Sequence, residues 1–112
     1  RGGHVPGSLN VPFLEMVTSG PVRSMQPKEA LERRFEAANL PMDSLRSEEG
    51  GVSVVISCGS GMTACIVGLA LHQVGMPLSR WALYDGSWSE WGTTSDMPVV
   101  KQGEDGTDVP VP

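Results

Sequence analysis

Val52-Ser53-Val54-Val55-Ile56-Ser57, running straight into Cys58-Gly59-Ser60-Gly61-Met62-Thr63, is the stretch on which the reading of this chain turns. Its nearly continuous β-branched run predicts a parallel strand covered on both faces. Residues 62–74 are apolar almost all round, which predicts a buried helix. Gly75 and Pro77 end that helix. Arg80-Trp81-Ala82-Leu83-Tyr84 predicts a second strand, and the intervening crossover is long enough to make the pair parallel. Ser87-Trp88-Ser89-Glu90 has capping-box spacing and predicts a short helical turn. The loops at 58–61 and 85–87 then leave the same edge of the sheet, where open α/β folds bind ligands. Cys58 and the segment Asp85 to Trp91 should therefore be neighbours.

The loop between strand and helix can stabilise an anion. The first amides of a helix have no intrahelical acceptor. Gly59 and Gly61 let the loop curl so that successive N–H groups point inward, forming a nest backed by the helix N-terminus. A thiol at its mouth ionises more easily than the usual value of about 8.5, and thiolate is the reactive form. Ser60 and Thr63 add hydroxyl donors at the rim. A packed, inert cysteine is the competing reading of Cys58. A phosphate-binding Walker A loop needs Lys where Met62 stands, so that reading fails. A dinucleotide fingerprint stays open: Gly59-Ser60-Gly61-Met62-Thr63-Ala64 fits G-x-G-x-x-A, and Asp85 ends the next strand.

Outward from this centre, residues 26–38 predict a helix. Pro27 suits its first position, Leu31, Phe35 and Ala38 share a face, and Asn39 suits a left-handed cap before Pro41. Asp43 to Gly51 reads as a polar loop. His4-Val5-Pro6-Gly7-Ser8 reads as a turn, and Leu9, Val11 and Phe13 alternate as in a short edge strand. From Thr93 the chain is rich in Pro, Gly and acids, which predicts an extended or mobile tail over 93–112.

The chain has 112 residues, enough for one small domain, and a net charge of -5. That charge argues against nucleic acid or an anionic membrane surface as the main partner. No run of about 18 apolar residues is present, so no membrane-spanning helix is expected. Cys58 and Cys65 form neither a disulfide framework nor a metal pair, which suits a reducing compartment, cytoplasmic or mitochondrial. His4 and His72 lie far apart and suggest no metal site.

Three segments resemble the rhodanese family, and within it the mercaptopyruvate sulfurtransferases. They are Gly3-His4-Val5-Pro6-Gly7-Ser8-Leu9-Asn10-Val11-Pro12-Phe13, then Cys58-Gly59-Ser60-Gly61-Met62-Thr63-Ala64-Cys65, then Tyr84-Asp85-Gly86-Ser87-Trp88-Ser89-Glu90-Trp91. The resemblance implies an α/β fold, a parallel sheet with helices on both faces. It implies Cys58 as a persulfide-forming nucleophile, Ser60 as an aid to proton transfer, and the amides of Gly59, Gly61, Met62 and Thr63 around the substrate sulfur. Sulfur would pass from 3-mercaptopyruvate, or thiosulfate, to a thiol acceptor such as thioredoxin or to cyanide, with no cofactor. Thiosulfate-preferring relatives look to carry cationic loop residues; this loop has none, which favours a thiol donor bearing one carboxylate. The family's substrate arginines and a central strand lie upstream of Gly3. The resemblance thus implies that residues 1–92 are the C-terminal part of a catalytic domain, incomplete without an upstream segment, and that this N-terminal part of the same enzyme packs against them.

Other residues carry plainer expectations. Cys65 reads as packed in the core. His72 suits a helix C-terminus. His4 reads as holding its turn, Trp88 and Trp91 as hydrophobic anchors, and Asp85 as a turn former beside Gly86.

Overall fold

The computed structural model describes residues 2–47, 53–94 and 96–112. Its centre is a parallel pair, β1 (Val54–Ile56) and β2 (Trp81–Leu83), with Val54 opposite Trp81 and Ile56 opposite Leu83. The connecting helix α3 (Ala64–Gln73) packs on this pair, completing the expected βαβ unit. Val52, placed in the strand by sequence, lies outside the described residues.

Side chains alternate across a strand. Ile56 is buried against α3, whereas Val55 is 68% exposed and Ala82, its register partner, is exposed too. Among the described residues the helices thus cover one face of the sheet, not both. The β-branched run predicted cover on each side; Val55 is the residue left without it. Among the same residues β1 pairs with β2 alone.

The helix α3 is likewise two-sided. Ala64, Val67, Gly68, Ala70 and Leu71 are buried, while Cys65 and Leu69 are exposed. Residues four apart share a helical face, so the positions 65 and 69 turn outward together. Cys65 is therefore a surface thiol, not the core residue expected. Gly68 sits under the Trp81 ring: a Cβ there would lie 2.8 Å from Trp81 Cη2 and 3.1 Å from Ile56 Cδ1. Gly68→Ala is expected to destabilise the fold by about 1–3 kcal/mol through overpacking, read as a lower melting temperature with an unchanged circular dichroism spectrum.

The helix α1 (Lys28–Ala37) begins one residue after Pro27, which takes the flanking position instead of the first helical one. Leu31 and Phe35 are 1% and 0% exposed, as their spacing requires. Burying each contributes roughly 1.5–3 kcal/mol. Asn39 adopts φ 68°, the left-handed cap expected.

One expected loop is partly helical and one expected strand is replaced. Met42–Arg46 forms α2, because Met42 and Leu45, three apart, both enter the core at 4% and 0% exposure. Arg46 ties α2 to α1 through an ion pair with Glu32. The expected strand at Leu9, Val11 and Phe13 is absent; Phe13–Met16 forms a 3-10 turn that buries Met16. The Pro6-Gly7 turn is present, closed by Ser8 N–H to Val5 O at 3.2 Å.

Residues of the expected tail are extended but paired. Strands β3 (Val100–Gln102) and β4 (Asp108–Pro110) form an antiparallel hairpin. His4 bridges to Val100, and its Nε2 lies 3.1 Å from Asp108 Oδ2. The hairpin therefore closes onto the start of the chain, with Val99 buried beneath it.

Candidate active site

The carboxyl end of β1 delivers Cys58, and α3 opens six residues later. Between them Gly61 adopts φ 93°, a left-handed conformation that swings its N–H toward the sulfur. Gly61 N–H reaches Cys58 Sγ at 3.1 Å, and Ala64 N–H, at the first residue of α3, reaches it at 3.3 Å. The Ser60 amide and the Thr63 hydroxyl act on the same sulfur, each favouring its charged form.

These donors decide its ionisation. Burial pushes the Cys58 thiol up, but the Thr63 hydroxyl and the amides of Ala64, Ser60 and Gly61 outweigh it, bringing the thiol from 9.0 to about 7. Hydrogen bonds to the charged form favour that form. Thiolate is the reactive species, so alkylation of Cys58 by iodoacetamide should rise as pH passes through about 7. A cysteine without donors would turn over near ~8.5 instead.

The second loop arrives at the same place, as the parallel order required. Trp88 N–H donates to Cys58 O and Ser89 N–H to Gly59 O, each at 2.9 Å. Both residues lie in α4 (Ser87–Trp91). The capping box does not form: Ser87 makes no side-chain cap, and its hydroxyl turns to Tyr84 O at 2.8 Å. Glu90 instead accepts from Tyr84 Oη at 2.5 Å, which pushes the tyrosine hydroxyl up. Asp85 presents its backbone oxygen to Gly61.

The residues singled out by sequence play unequal parts. Gly61, Ser60 and Thr63 lie around the sulfur. Gly59 supplies an outward carbonyl held by α4. Met62 is 79% exposed at the rim. Ala64, Ser87 and Ser89 were not anticipated. The signal for Ala64 was the free amides of the helix N-terminus, and that for Ser87 and Ser89 the inferred adjacency of the two loops. Trp88 lines a cavity of about 610 Å³ that runs from Cys58 along β1 to the segment 7–11. Trp91 acts as the anchor, donating to Pro98 O at 2.8 Å and meeting Tyr84 edge-on.

Amides and a hydroxyl converging on one cysteine at the end of a parallel strand define an α/β protein organised around an ionisable thiol. The chain belongs to the rhodanese family: the model of the Rhodanese-like domain matches residues 1–94. It is 37% identical over 99 residues to thiosulfate/3-mercaptopyruvate sulfurtransferase 1, mitochondrial, of Arabidopsis thaliana, covering 88% of this chain and 23% of that protein. It is 40% identical over 98 residues to thiosulfate/3-mercaptopyruvate sulfurtransferase 2 of the same plant, covering 88% and 25%. It is 39% identical over 99 residues to 3-mercaptopyruvate sulfurtransferase of Escherichia coli K12, covering 88% and 31%. The chain therefore spans between about a quarter and a third of the length of these relatives.

Proposed function

We propose that this chain carries the catalytic cysteine of a sulfurtransferase that moves sulfur from 3-mercaptopyruvate, or less readily thiosulfate, to a thiol such as that of thioredoxin or to cyanide. The observation that supports it most directly is the convergence of donors on Cys58 Sγ. The Cys58 thiolate attacks the donor's sulfur. The carbon–sulfur bond breaks as the sulfur–sulfur bond forms, and the donor's thiol proton ends on the carbon, releasing pyruvate and leaving a Cys58 persulfide anion. An acceptor thiol then attacks the outer sulfur and leaves as a persulfide, restoring the Cys58 thiolate. Ser60, exposed at the rim, relays the proton. The amides of Gly61 and Ala64 hold negative charge throughout. Because those donors serve the sulfur, they do not serve a pyrophosphate, which weighs against a dinucleotide site.

The substrate arginines and the missing cover of the sheet belong, in this reading, to an N-terminal part of the same enzyme. Val55, exposed on β1 and lining the open cavity, is what such a segment would bury. A reducing compartment, cytoplasmic or mitochondrial, would keep Cys58 free for turnover. The test is intact-mass analysis of the protein after incubation with 3-mercaptopyruvate. A gain of one sulfur, mapped to the Cys58 peptide, is expected; no gain in folded, complete protein refutes the proposal.

A further inference from the structure

The cradle around Cys58 has an outer side. A peptide group is planar, and its C=O and N–H point in opposite directions. Turning the Ser60 amide inward therefore sends the Gly59 carbonyl outward, where it needs a donor. Ser89 provides two: its N–H at 2.9 Å and its Oγ at 2.6 Å. The Cys58 carbonyl, in one plane with the Gly59 amide, takes Trp88 N–H at 2.9 Å. Beneath them Ser87 Oγ accepts Cys58 N–H at 3.2 Å while donating to Tyr84 O.

Ser87 is an unusual residue for its place. It is fully buried at 0% exposure and holds φ 52°, a conformation that glycine adopts more readily than any residue with a Cβ. Its hydroxyl is the feature a glycine could not replace, since that oxygen joins the two loops.

We propose that Ser87 and Ser89 are positioning residues for the Cys58 thiolate. Ser87 fixes the entry of the chain into Cys58 and Ser89 the Gly59–Ser60 peptide plane, which sets the start of the loop whose Gly61 and Ala64 N–H groups reach Sγ. Neither serine touches a reacting atom. The proposal rests on the functional reading above only for what the thiolate is used for. The ionisable side chains on the adjoining segment, Asp85 beside Gly61 and Glu90 on Tyr84, are unchanged in the variants below.

The test is the pH profile of Cys58 alkylation by iodoacetamide in the intact protein, followed by peptide mass so that Cys65 is counted separately. Ser89→Ala and Ser87→Gly should each raise the midpoint by about one pH unit, the scale of one lost or misaligned donor to an anion. Ser89→Thr, which keeps the hydroxyl, should stay near the wild-type midpoint. Ser87→Gly relieves the positive-φ conformation, which offsets part of the cost of the lost hydrogen bonds, so it should stay folded while its thiol becomes less acidic; a purely structural role would lower the melting temperature and leave the thiol midpoint in place. Unmoved midpoints in folded Ser89→Ala and Ser87→Gly overturn the proposal. This readout needs no sulfur donor. A wild-type protein that fails to form a persulfide would refute the sulfurtransferase reading, yet shifted midpoints would still support the two serines as positioning the thiolate.

Discussion

A Cys58→Ser protein is expected to lose sulfur transfer by on the order of 10⁵-fold, the scale on which removing a covalent nucleophile acts. The exchange alters one atom. A hydroxyl in place of the thiol cannot be ionised near neutral pH by the donors that bring the thiol to about 7. Nor can oxygen carry the transferred sulfur as a persulfide. The fold should be indifferent, because Cys58 is only half-buried and the amides of Gly61 and Ala64 can bond to an oxygen as they do to sulfur. Two measurements check this together. Turnover of 3-mercaptopyruvate with a thiol acceptor should vanish, and the one-sulfur mass gain should be absent, while the melting curve matches wild type. Substantial turnover by the variant would move the nucleophile elsewhere, and Cys65 would be the next thiol to examine.

Gly61→Ala should be damaging by a different route and to a smaller extent. A Cβ at this position would lie 2.8 Å from the backbone oxygen of Asp85, a group that cannot swing aside as a side-chain tip could. The residue's φ of 93° is strained for anything but glycine, at a cost of order 1–3 kcal/mol. The loop can relieve both only by turning, and turning carries the Gly61 N–H away from Sγ. Losing that one donor should raise the thiol from about 7 by up to about one pH unit, so the thiolate fraction at neutral pH falls from about half to roughly a tenth. Transfer at pH 7 should fall up to roughly five-fold on that ground alone. Melting should drop by about 4–8 °C for each kcal/mol of strain. Gly59→Ala is the control for stability, since a Cβ there meets nothing within 4 Å. Its melting temperature should stay at the wild-type value. If Gly61→Ala keeps both its thiol midpoint and its stability, the loop tolerates side chains and the tight approach of Asp85 does not constrain it.

Much of the site was legible because its signals are local. A β-branched run, two glycines and an apolar helix in direct succession place Cys58 at a strand end and below a helix N-terminus. Parallel order then brings Asp85 to Trp91 alongside. The features that escaped are of another kind. Met42 and Leu45 form one short turn, whose two apolar residues were hidden in a polar stretch. Cys65 sits in an apolar sequence, and only the packing of Gly68 on Trp81 settles which side of the helix faces out.

What the chain fixes through nearest neighbours is the strand–loop–helix unit, the left-handed cap at Asn39 and the choice of Cys58 as the ionisable group. Backbone propensity and glycine's freedom act over a few residues, so they can be read along the chain. What only the tertiary structure decided is which carbonyl meets which donor. Ser87 finds Cys58 across 29 residues and Ser89 finds Gly59 across 30, while His4 meets Asp108 across 104. A serine carries the same hydroxyl wherever it stands; its partner is chosen by how two distant loops are packed, and that choice has no period in the sequence.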